Sequence, residues 1–298
     1  MTDKTIAATF PVSPRHWVGD GFPVRSLFSY QSHAALTDPF LLLDHAAPTE
    51  FPPATRPRGV GEHPHRGFET VTLVYAGEVS HRDSSGGGGT IRPGDVQWMT
   101  AAAGVVHDEF HSEDFTRRGG MLEMVQLWVN LPAKEKMRAP RYQSILAGDI
   151  PSVELPGGAG SMRVIAGEYA GTRGPAATFT AINVWDGELA PGSRVRFSVP
   201  AGFTLLVVVL EGVLQLNDAN DAREGQVVLF DRDGEDFTVA APERSRLLLL
   251  SGEPLAEPVV GYGPFVMNSE AEIRRAIEDF NRGSFGRLPA DEPGATSQ

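Results

Sequence analysis

Two short stretches in the first half of the chain carry residue types that suit a metal site. His63 and His65 are separated by a single proline, and His107 and Glu109 repeat that spacing further along. On a β-strand, residues i and i+2 face the same side, so each pair would direct both side chains into one space. If the two strands are neighbours, three imidazoles and one carboxylate can reach a single ion.

This donor set indicates a particular class of metal. Imidazole nitrogens together with a carboxylate oxygen suit a divalent transition metal, and the carboxylate favours iron(II) or manganese. Four protein ligands around an octahedral ion leave two positions for substrate and water, or for dioxygen. The proline between the first two histidines, Pro64, cannot donate to a strand ladder and is therefore expected at an edge or where a strand begins.

Other residues compete for a place in this site. A lone His-x-His in a loop is usually incidental, and the second pair is what favours a metal site. Glu69 shares the strand parity of His63 and His65, and spacing alone does not choose between it and Glu109. His111 is the one spare histidine ligand. The rest are interpreted as surface or hydrogen-bonded core histidines, with His81 on an exposed strand: His16, His33, His45 and His81.

The elements that must position these residues are predominantly strands. Short runs rich in Val, Leu, Phe and Thr alternate with turn residues along the whole chain, which contains 33 glycines and 23 prolines. Many short strands with regular turns predict an all-β sandwich or barrel. One helix is predicted near the C-terminus, where a capping-box pattern at 269–272 precedes apolar residues at helical spacing. We expect this helix to pack against a sheet.

A weak internal repeat predicts two similar β-domains. "TLVYAGEV" (72–79) resembles "VVVLEGVL" 135 positions later, and "RPGDVQWM" (92–99) resembles "REGQVVLF" 131 positions later. We therefore divide the chain into 1–135 and 136–298, with the charged stretch 131–141 as the joint. A shift of 135 aligns His63 with Ser198 and His65 with Pro200, and no histidine follows position 111. The metal site is thus predicted in the first domain only.

Composition excludes several classes of protein. The net charge of −12 argues against nucleic-acid binding, and the absence of cysteine excludes disulfides and thiolate ligands. No apolar run approaches the roughly 20 residues of a membrane-spanning helix. The N-terminal residues do not resemble a secretory signal. These observations predict a soluble cytoplasmic protein that does not bind nucleic acid directly.

Three residues are candidates for a substrate pocket near the metal. Met124 and Gln126 alternate with apolar neighbours, so one set of side chains in this run can line a cavity. A buried glutamine amide needs a hydrogen-bond partner, which makes Gln126 the more suggestive of the two. Phe68, close in sequence to the first histidine pair, is the third candidate.

Several motifs together resemble the pirin family of the cupin superfamily: "HPHRGFETVT", "GEVSHRDS", "GTIRPGDVQWMTA", "GVVHDE", "VQLWVNLPAKEKM" and "GPFVMNSEAEIRRAIEDFNRGSFG". They cover most of the N-terminal half and the end of the chain, whereas residues 141–260 resemble the family only loosely. The resemblance implies two tandem cupin barrels (double-stranded β-helix, or jelly-roll, domains), followed by a C-terminal α-helix, with iron in the first barrel.

The resemblance also implies a ligand set. It carries over four metal ligands, all present here, and thereby prefers Glu109 to Glu69: His63, His65, His107 and Glu109. The sequence departs from the family's pattern at Ala102 and Ala103, where relatives usually have glycine and then a polar or basic residue. We expect this change to make the rim of the site more apolar.

Some members of the family have quercetin 2,3-dioxygenase activity, which implies an iron(II)-dependent dioxygenase for a flavonol-like or other enolic aromatic substrate. In this hypothesis Glu109 also acts as the base that removes the substrate hydroxyl proton. The same ligands accept Mn, Ni, Co, Cu or Zn. Other family members are linked to transcriptional regulators or metabolic enzymes. The alternatives are therefore an iron redox-sensing, protein-binding module without catalysis, or a non-redox metalloenzyme.

Overall fold

The computed structural model describes residues 3–218 and 220–289, and strands dominate it. The first half contains the following elements: β1 (Ile6–Phe10), β2 (His16–Val18), β3 (Phe22–Ser29), α1 (Tyr30–Thr37), β4 (Phe40–Phe51), β5 (Gly59–His65), β6 (Phe68–Ala76), β7 (Val79–Asp83), β8 (Gly88–Ile91), β9 (Val96–Thr100), β10 (Val105–His111), α2 (Glu113–Arg118), β11 (Gly120–Asn130) and β12 (Arg141–Ile145).

The second half repeats this β-rich pattern and ends in the predicted helix. Its elements are β13 (Ser152–Glu154), β14 (Gly160–Ala166), β15 (Glu168–Tyr169), β16 (Thr172–Arg173), β17 (Ile182–Leu189), β18 (Ser193–Ser198), β19 (Thr204–Glu211), β20 (Val213–Leu216), β21 (Asn220–Arg223), β22 (Val227–Phe230), β23 (Asp236–Ala241), β24 (Ser245–Gly252), β25 (Val260–Tyr262), β26 (Phe265–Met267) and α3 (Glu270–Asn281). Within the described ranges, no helix has the length and apolar character needed to cross a membrane.

The strands form two barrels with the same sheet order. The first pairs a seven-stranded sheet, β12-β9-β6-β11-β4-β3-β2, with a four-stranded sheet, β5-β10-β7-β8. The second pairs β1-β22-β19-β24-β17-β14-β13 with β18-β23-β20-β21. This is the predicted all-β architecture of two tandem cupin barrels with a C-terminal α-helix, and the prediction is confirmed.

The two barrels exchange strands across the division predicted at 135. Strand β1, at the start of the chain, pairs antiparallel with β22 of the second barrel. Strand β12, which follows position 136, pairs antiparallel with β9 of the first barrel. Each barrel therefore completes its larger sheet with a strand from the other half of the chain, which ties the two halves together.

The central core lies between the two seven-stranded sheets. Buried side chains from both sheets form one cluster, among them Leu73, Trp98, Leu127, Val184, Leu206 and Leu250. Full burial of such a side chain contributes about 1.5–3 kcal/mol. Strands such as β19 (TLLVVVLE) are buried on both faces because one face meets the other sheet and the other face fills its own barrel. This explains their continuous apolar sequence.

The C-terminal segment returns to the first barrel. Helix α3 begins after Ser269, whose Oγ accepts a hydrogen bond from the Glu272 amide, as the capping-box pattern predicts. Asp279 on this helix forms a 2.9 Å ion pair with Arg66, the residue after the first histidine pair. The backbone of Arg66 also forms an isolated parallel β-bridge with that of Phe265, the first residue of β26. The end of the chain thus packs beside the strand that carries the histidines.

Candidate metal centre

The two histidine pairs lie on neighbouring antiparallel strands. In the register of β5 and β10, His63 is directly opposite His107, and His65 is opposite Val105. The imidazole centroids of His63 and His107 are 4.2 Å apart, and those of His65 and His107 are 4.8 Å apart. One ring nitrogen from each of these histidines lies within 4.8 Å of the others. The structure therefore brings the three predicted imidazole ligands together.

Pro64 lies near the end of strand β5 and not at its beginning. Strand β5 is the edge of the four-stranded sheet, where a missing backbone donor is tolerated, as expected. The expectation that Pro64 marks a strand entry is wrong, since β5 already begins at Gly59. A β-bulge precedes the pair: two residues of β5 separate Val60 from His63 where β10 has one. Such bulges re-aim side chains.

Glu109 joins the cluster from the same strand as His107. Its carboxylate, one nitrogen of His107 and one nitrogen of His81 lie within 4.8 Å of one another. Gln126, on β11, donates from Nε2 to Glu109 Oε2 at 3.0 Å. The sequence predicted that the Gln126 amide needs a hydrogen-bond partner, and this partner is the predicted carboxylate ligand. The hydrogen bond orients the Glu109 carboxylate.

Two buried atoms in this cluster lack a partner among the described residues. They are Nε2 of His107 and Oε1 of Glu109. An unsatisfied buried polar atom costs about 1–3 kcal/mol, so two of them in one place need an explanation. A divalent cation would satisfy both, and imidazole nitrogen with carboxylate oxygen is a donor set suited to iron(II) or manganese. The residues present therefore fit a metal ion.

Two of the histidines have lowered pKa values, which favours the binding of a cation. Burial, together with the neighbouring histidines, holds the pKa of His65 and of His107 well below the usual value. Both imidazoles are therefore neutral at physiological pH. A histidine must be neutral to offer a lone pair to a metal, so the burial that lowers these pKa values also favours metal binding.

Glu69 lies outside both clusters of candidate metal ligands that the described residues form. Its Oε1 accepts a 2.7 Å hydrogen bond from Thr100 Oγ1, and Arg141 is 3.8 Å away. Burial raises the pKa of Glu69 to about 7. The parity that made it a rival does not apply, because the chain turns at Gly67 and β6 joins the seven-stranded sheet.

His81 is a site residue that the sequence reasoning misplaced. It was expected on an exposed strand, but it is 3% exposed and lies opposite Glu109 in the register of β7 and β10. Its Nδ1 is 3.2 Å from Nδ1 of His107, and its Nε2 is 3.2 Å from Asp83. The His-x-Asp spacing of His81 and Asp83 was the available signal.

His111 is not part of the candidate centre. Its Nε2 donates to the backbone carbonyl of Gly21 at 2.9 Å. Its ring packs edge-on against three aromatic side chains of the first half of the chain: Phe22, Phe51 and Phe115. The spare ligand proposed from spacing is therefore a hydrogen-bonded core histidine.

A cavity of about 310 Å³ opens beside the histidines. Its polar wall contains Asp44, His63, His65, Glu109 and Gln126, and its apolar wall contains Val18, Phe22, Val24, Val60, Met124 and Trp128. Two of the three predicted pocket residues, Met124 and Gln126, line it.

Phe68 does not line the cavity, contrary to expectation. It is fully buried and stacks on Trp128, with ring centroids 4.2 Å apart, so it supports the wall from behind. Ala102 and Ala103 do not line the cavity either. Their carbonyls accept hydrogen bonds from the Gly67 amide and from Arg66 Nε, respectively. The expected effect of these two alanines on the rim is therefore wrong, because they brace the turn that follows the histidines.

Sequence comparisons identify the family. A family model described as "Pirin" matches residues 21–129, and one described as "Pirin C-terminal cupin domain" matches residues 184–286. The chain belongs to the pirin family. Among curated pirin relatives, the Pseudomonas aeruginosa protein named "Putative quercetin 2,3-dioxygenase PA2418" is 57% identical over 95% of this chain and 99% of its own length. Human "Pirin" is 39% identical over 84% of this chain and 83% of its own length.

The fold of a solved pirin-family relative agrees with these matches. The crystal structure titled quercetin 2,3-dioxygenase from Acinetobacter baumannii superimposes with a TM-score of 0.94 and is 55% identical. The alignment covers 96% of this chain and 99% of that one. At this identity and coverage, both barrels and their connection are shared.

Proposed function

We propose that this pirin is an iron(II)-dependent dioxygenase that cleaves a flavonol-like or other enolic aromatic substrate. The observation that carries the proposal is a pair of candidate ligand clusters that share His107, one with His63 and His65 and the other with His81 and Glu109, beside a largely apolar cavity. The substrate class is supported by the names of two relatives, "Putative quercetin 2,3-dioxygenase PA2418" from Pseudomonas and "Quercetin 2,3-dioxygenase" from Acinetobacter.

Four residues would hold the metal: His63, His65, His107 and Glu109. When bound, the metal would supply Lewis acidity toward the substrate oxygen and the redox chemistry that dioxygen needs. The chain contributes neutral imidazoles, which have a lone pair to offer to a metal, and a carboxylate, Glu109, that is held in place by the Gln126 amide.

Glu109 is also the proposed proton acceptor. Its Oε2 is held by the Gln126 amide, whereas its buried Oε1 has no partner within the described part of the chain. The site borders the cavity, so an enolic hydroxyl that enters comes within reach of this carboxylate. Removal of the hydroxyl proton would leave an electron-rich enolate, the form that reacts with dioxygen.

The cavity walls would select the substrate and exclude water. The described volume of about 310 Å³ is near the lower end of the roughly 300–1,000 Å³ typical of ligand pockets. Trp128 and Phe22 supply flat apolar surfaces, and Met124 adapts to irregular shapes. Such a pocket favours one small planar aromatic molecule with its polar edge toward the histidines.

The test is oxygen uptake by protein loaded anaerobically with iron(II). With quercetin, and with a panel of other enolic aromatics, we expect oxygen consumption in step with substrate loss. Both atoms of labelled dioxygen should enter the cleaved products. Glu109→Gln should abolish turnover. Glu69→Gln makes the same carboxylate-to-amide change outside the cluster and should retain activity. Intact substrates across the panel, with iron and oxygen both present, would overturn the proposal.

A further inference from the structure

A buried chain of hydrogen bonds runs from Asp83 through His81 to His107. Asp83 and His107 are opposite each other in the register of β7 and β10, and His81 is two residues before Asp83 on the same strand. His81 Nε2 is 3.2 Å from Asp83 Oδ2, and His81 Nδ1 is 3.2 Å from His107 Nδ1. None of the three is more than 3% exposed, so water does not compete for these contacts.

Asp83 can only accept hydrogen bonds. Burial alone would raise its pKa, but hydrogen bonds from His81, Ser85 and Gly87 outweigh that effect and lower the pKa to about 2. Its Oδ1 accepts from the Ser85 amide at 2.7 Å, the Ser85 hydroxyl at 2.6 Å and the Gly87 amide at 3.1 Å. The carboxylate is therefore fixed and ionised, and the proton between Oδ2 and His81 resides on Nε2 of the histidine.

A second contact determines whether the other ring nitrogen of His81, Nδ1, donates or accepts a hydrogen bond. Tyr142 donates its hydroxyl to Gln97 Oε1 at 3.4 Å, which turns the amide so that Gln97 Nε2 donates to His81 Nδ1 at 3.2 Å. His81 Nδ1 is therefore an acceptor. Its other neighbour, His107 Nδ1, must then carry a proton and donate it. This assignment leaves a lone pair on His107 Nε2, the atom without a partner among the described residues.

We propose that His81 and Asp83 are positioning residues that fix the tautomer of His107, so that its Nε2 faces the metal as a lone pair. The inference builds on the metal centre of the proposed function. Although His81 lies within reach of His107 and Glu109, both of its nitrogens are already engaged, so it orients a ligand and does not bind the ion. A neutral imidazole otherwise has two tautomers, one of which would present an N–H to the cation.

Asp83→Asn tests this chain by replacing one carboxylate oxygen with an NH₂ group. The asparagine can keep Oδ1 toward Ser85 and Gly87, and it then places an NH₂ group against His81 Nε2. That donor should reverse the protons on both histidines, moving the His107 proton to Nε2, while the Gln97 amide turns over so that its Oε1 accepts from His81 Nδ1. In the metal-free protein, ¹⁵N NMR of the histidine rings should show His107 protonated at Nδ1 in the wild type and at Nε2 in the variant. Competition with a chelator should show an affinity for Co(II) about 10–100-fold lower.

Asp95→Asn is the matched control. Asp95 also accepts hydrogen bonds from backbone amides, those of Arg92 and Ala147, but among the described residues it forms no hydrogen bond with a histidine. Its substitution should leave the ring spectra and Co(II) affinity unchanged. Wild-type His107 protonated at Nε2, or an Asp83→Asn protein with wild-type tautomers and affinity, would overturn the inference. So would loss of one nitrogen ligand from the X-ray absorption spectrum of Co(II)-loaded His81→Gln.

The wild-type spectrum needs no variant, so the inference remains testable even if Asp83→Asn does not fold. None of these measurements uses substrate or oxygen. A protein that fails as a dioxygenase but shows the expected tautomers and Co(II) affinities would therefore refute the proposed function and support the positioning role.

Discussion

The two barrels have the same sheet order, but the first has polar side chains in its interior where the second has apolar ones. In the four-stranded sheet of the first barrel, His63 on β5 is paired with His107 on β10. At the corresponding place in the second barrel, Phe197 on β18 is paired with Phe237 on β23, with ring centroids 5.6 Å apart. The same backbone arrangement therefore holds a pair of candidate ligands in one barrel and a packed aromatic pair in the other.

The contrast extends to five further polar residues around the candidate centre. When the strands are matched by their pairing, these five correspond to buried apolar side chains in the second barrel: His65 to Val199, His81 to Leu216, Gln97 to Val228, Glu109 to Val239 and Gln126 to Leu249. The comparison shows that the cupin scaffold does not need the polar cluster in order to fold. Burial of apolar surface alone can fill the same interior.

Strand pairing also corrects the alignment made from sequence. A uniform shift of 135 aligned His63 with Ser198, but the register aligns it with Phe197. The extra residue in the β5 bulge, which has no counterpart in β18, produces the one-residue difference. Because side chains alternate across a strand, this single residue decides which ones face the barrel interior.

The largest expected effect comes from removing a ligand in the first barrel. His63→Ala and His107→Ala should each abolish stoichiometric metal binding, since each removes one imidazole from the cluster. Circular dichroism should show that the β-fold is retained, because the second barrel packs well without any such residues. Elemental analysis after loading with iron(II) measures the effect. Full iron occupancy in both variants would contradict the assignment.

The aromatic pair of the second barrel should control stability instead. Phe237→Ala removes a fully buried ring and should lower the free energy of unfolding by about 3–5 kcal/mol. The effect is measured by urea denaturation of metal-free protein, with metal content determined separately. His107→Ala is the comparison, and it should cost less because it also removes an unsatisfied buried nitrogen. Equal losses would contradict this difference between the barrels.

Exchange of one residue between the barrels should weaken the metal site without destroying it. Gln126→Leu installs the residue type of position 249 and removes the donor to Glu109 Oε2, so the carboxylate loses its orientation. We expect metal affinity to fall by about 10-fold, as is typical when an outer hydrogen bond to a ligand is lost. Met124→Leu, which likewise copies the paired position Leu247, should leave affinity unchanged. Equal affinities in the two variants would argue against the role of Gln126.

The last comparison concerns Glu69, whose counterpart in the second barrel is the uncharged Thr204. Because burial raises the pKa of Glu69 from 4.5 to about 7, the folded protein binds a proton that the unfolded chain releases between these values. The stability contributed by the protonated form is therefore present below pH 4.5 and is lost as the pH rises toward 7. Glu69→Gln should flatten this part of the pH profile of the unfolding free energy. An unchanged slope would contradict it.

The sequence by itself determined the local features of this protein. Alternating β-branched runs and turn residues predicted strands, the capping box predicted α3, and the i, i+2 spacing predicted which side chains share a face. These follow from backbone geometry over a few residues. The internal repeat predicted two barrels because each has its own set of apolar strands.

Only the tertiary structure decided how these features combine. The pairing of β5 with β10 and β7 sets His63 against His107 and brings His81 to the site, whereas the turn at Gly67 carries Glu69 into another sheet. The pairing of β1 with the second barrel and of β12 with the first was likewise decided only by the tertiary structure. Such contacts join residues far apart in the chain, and their register is fixed by how the barrels pack rather than by any local preference.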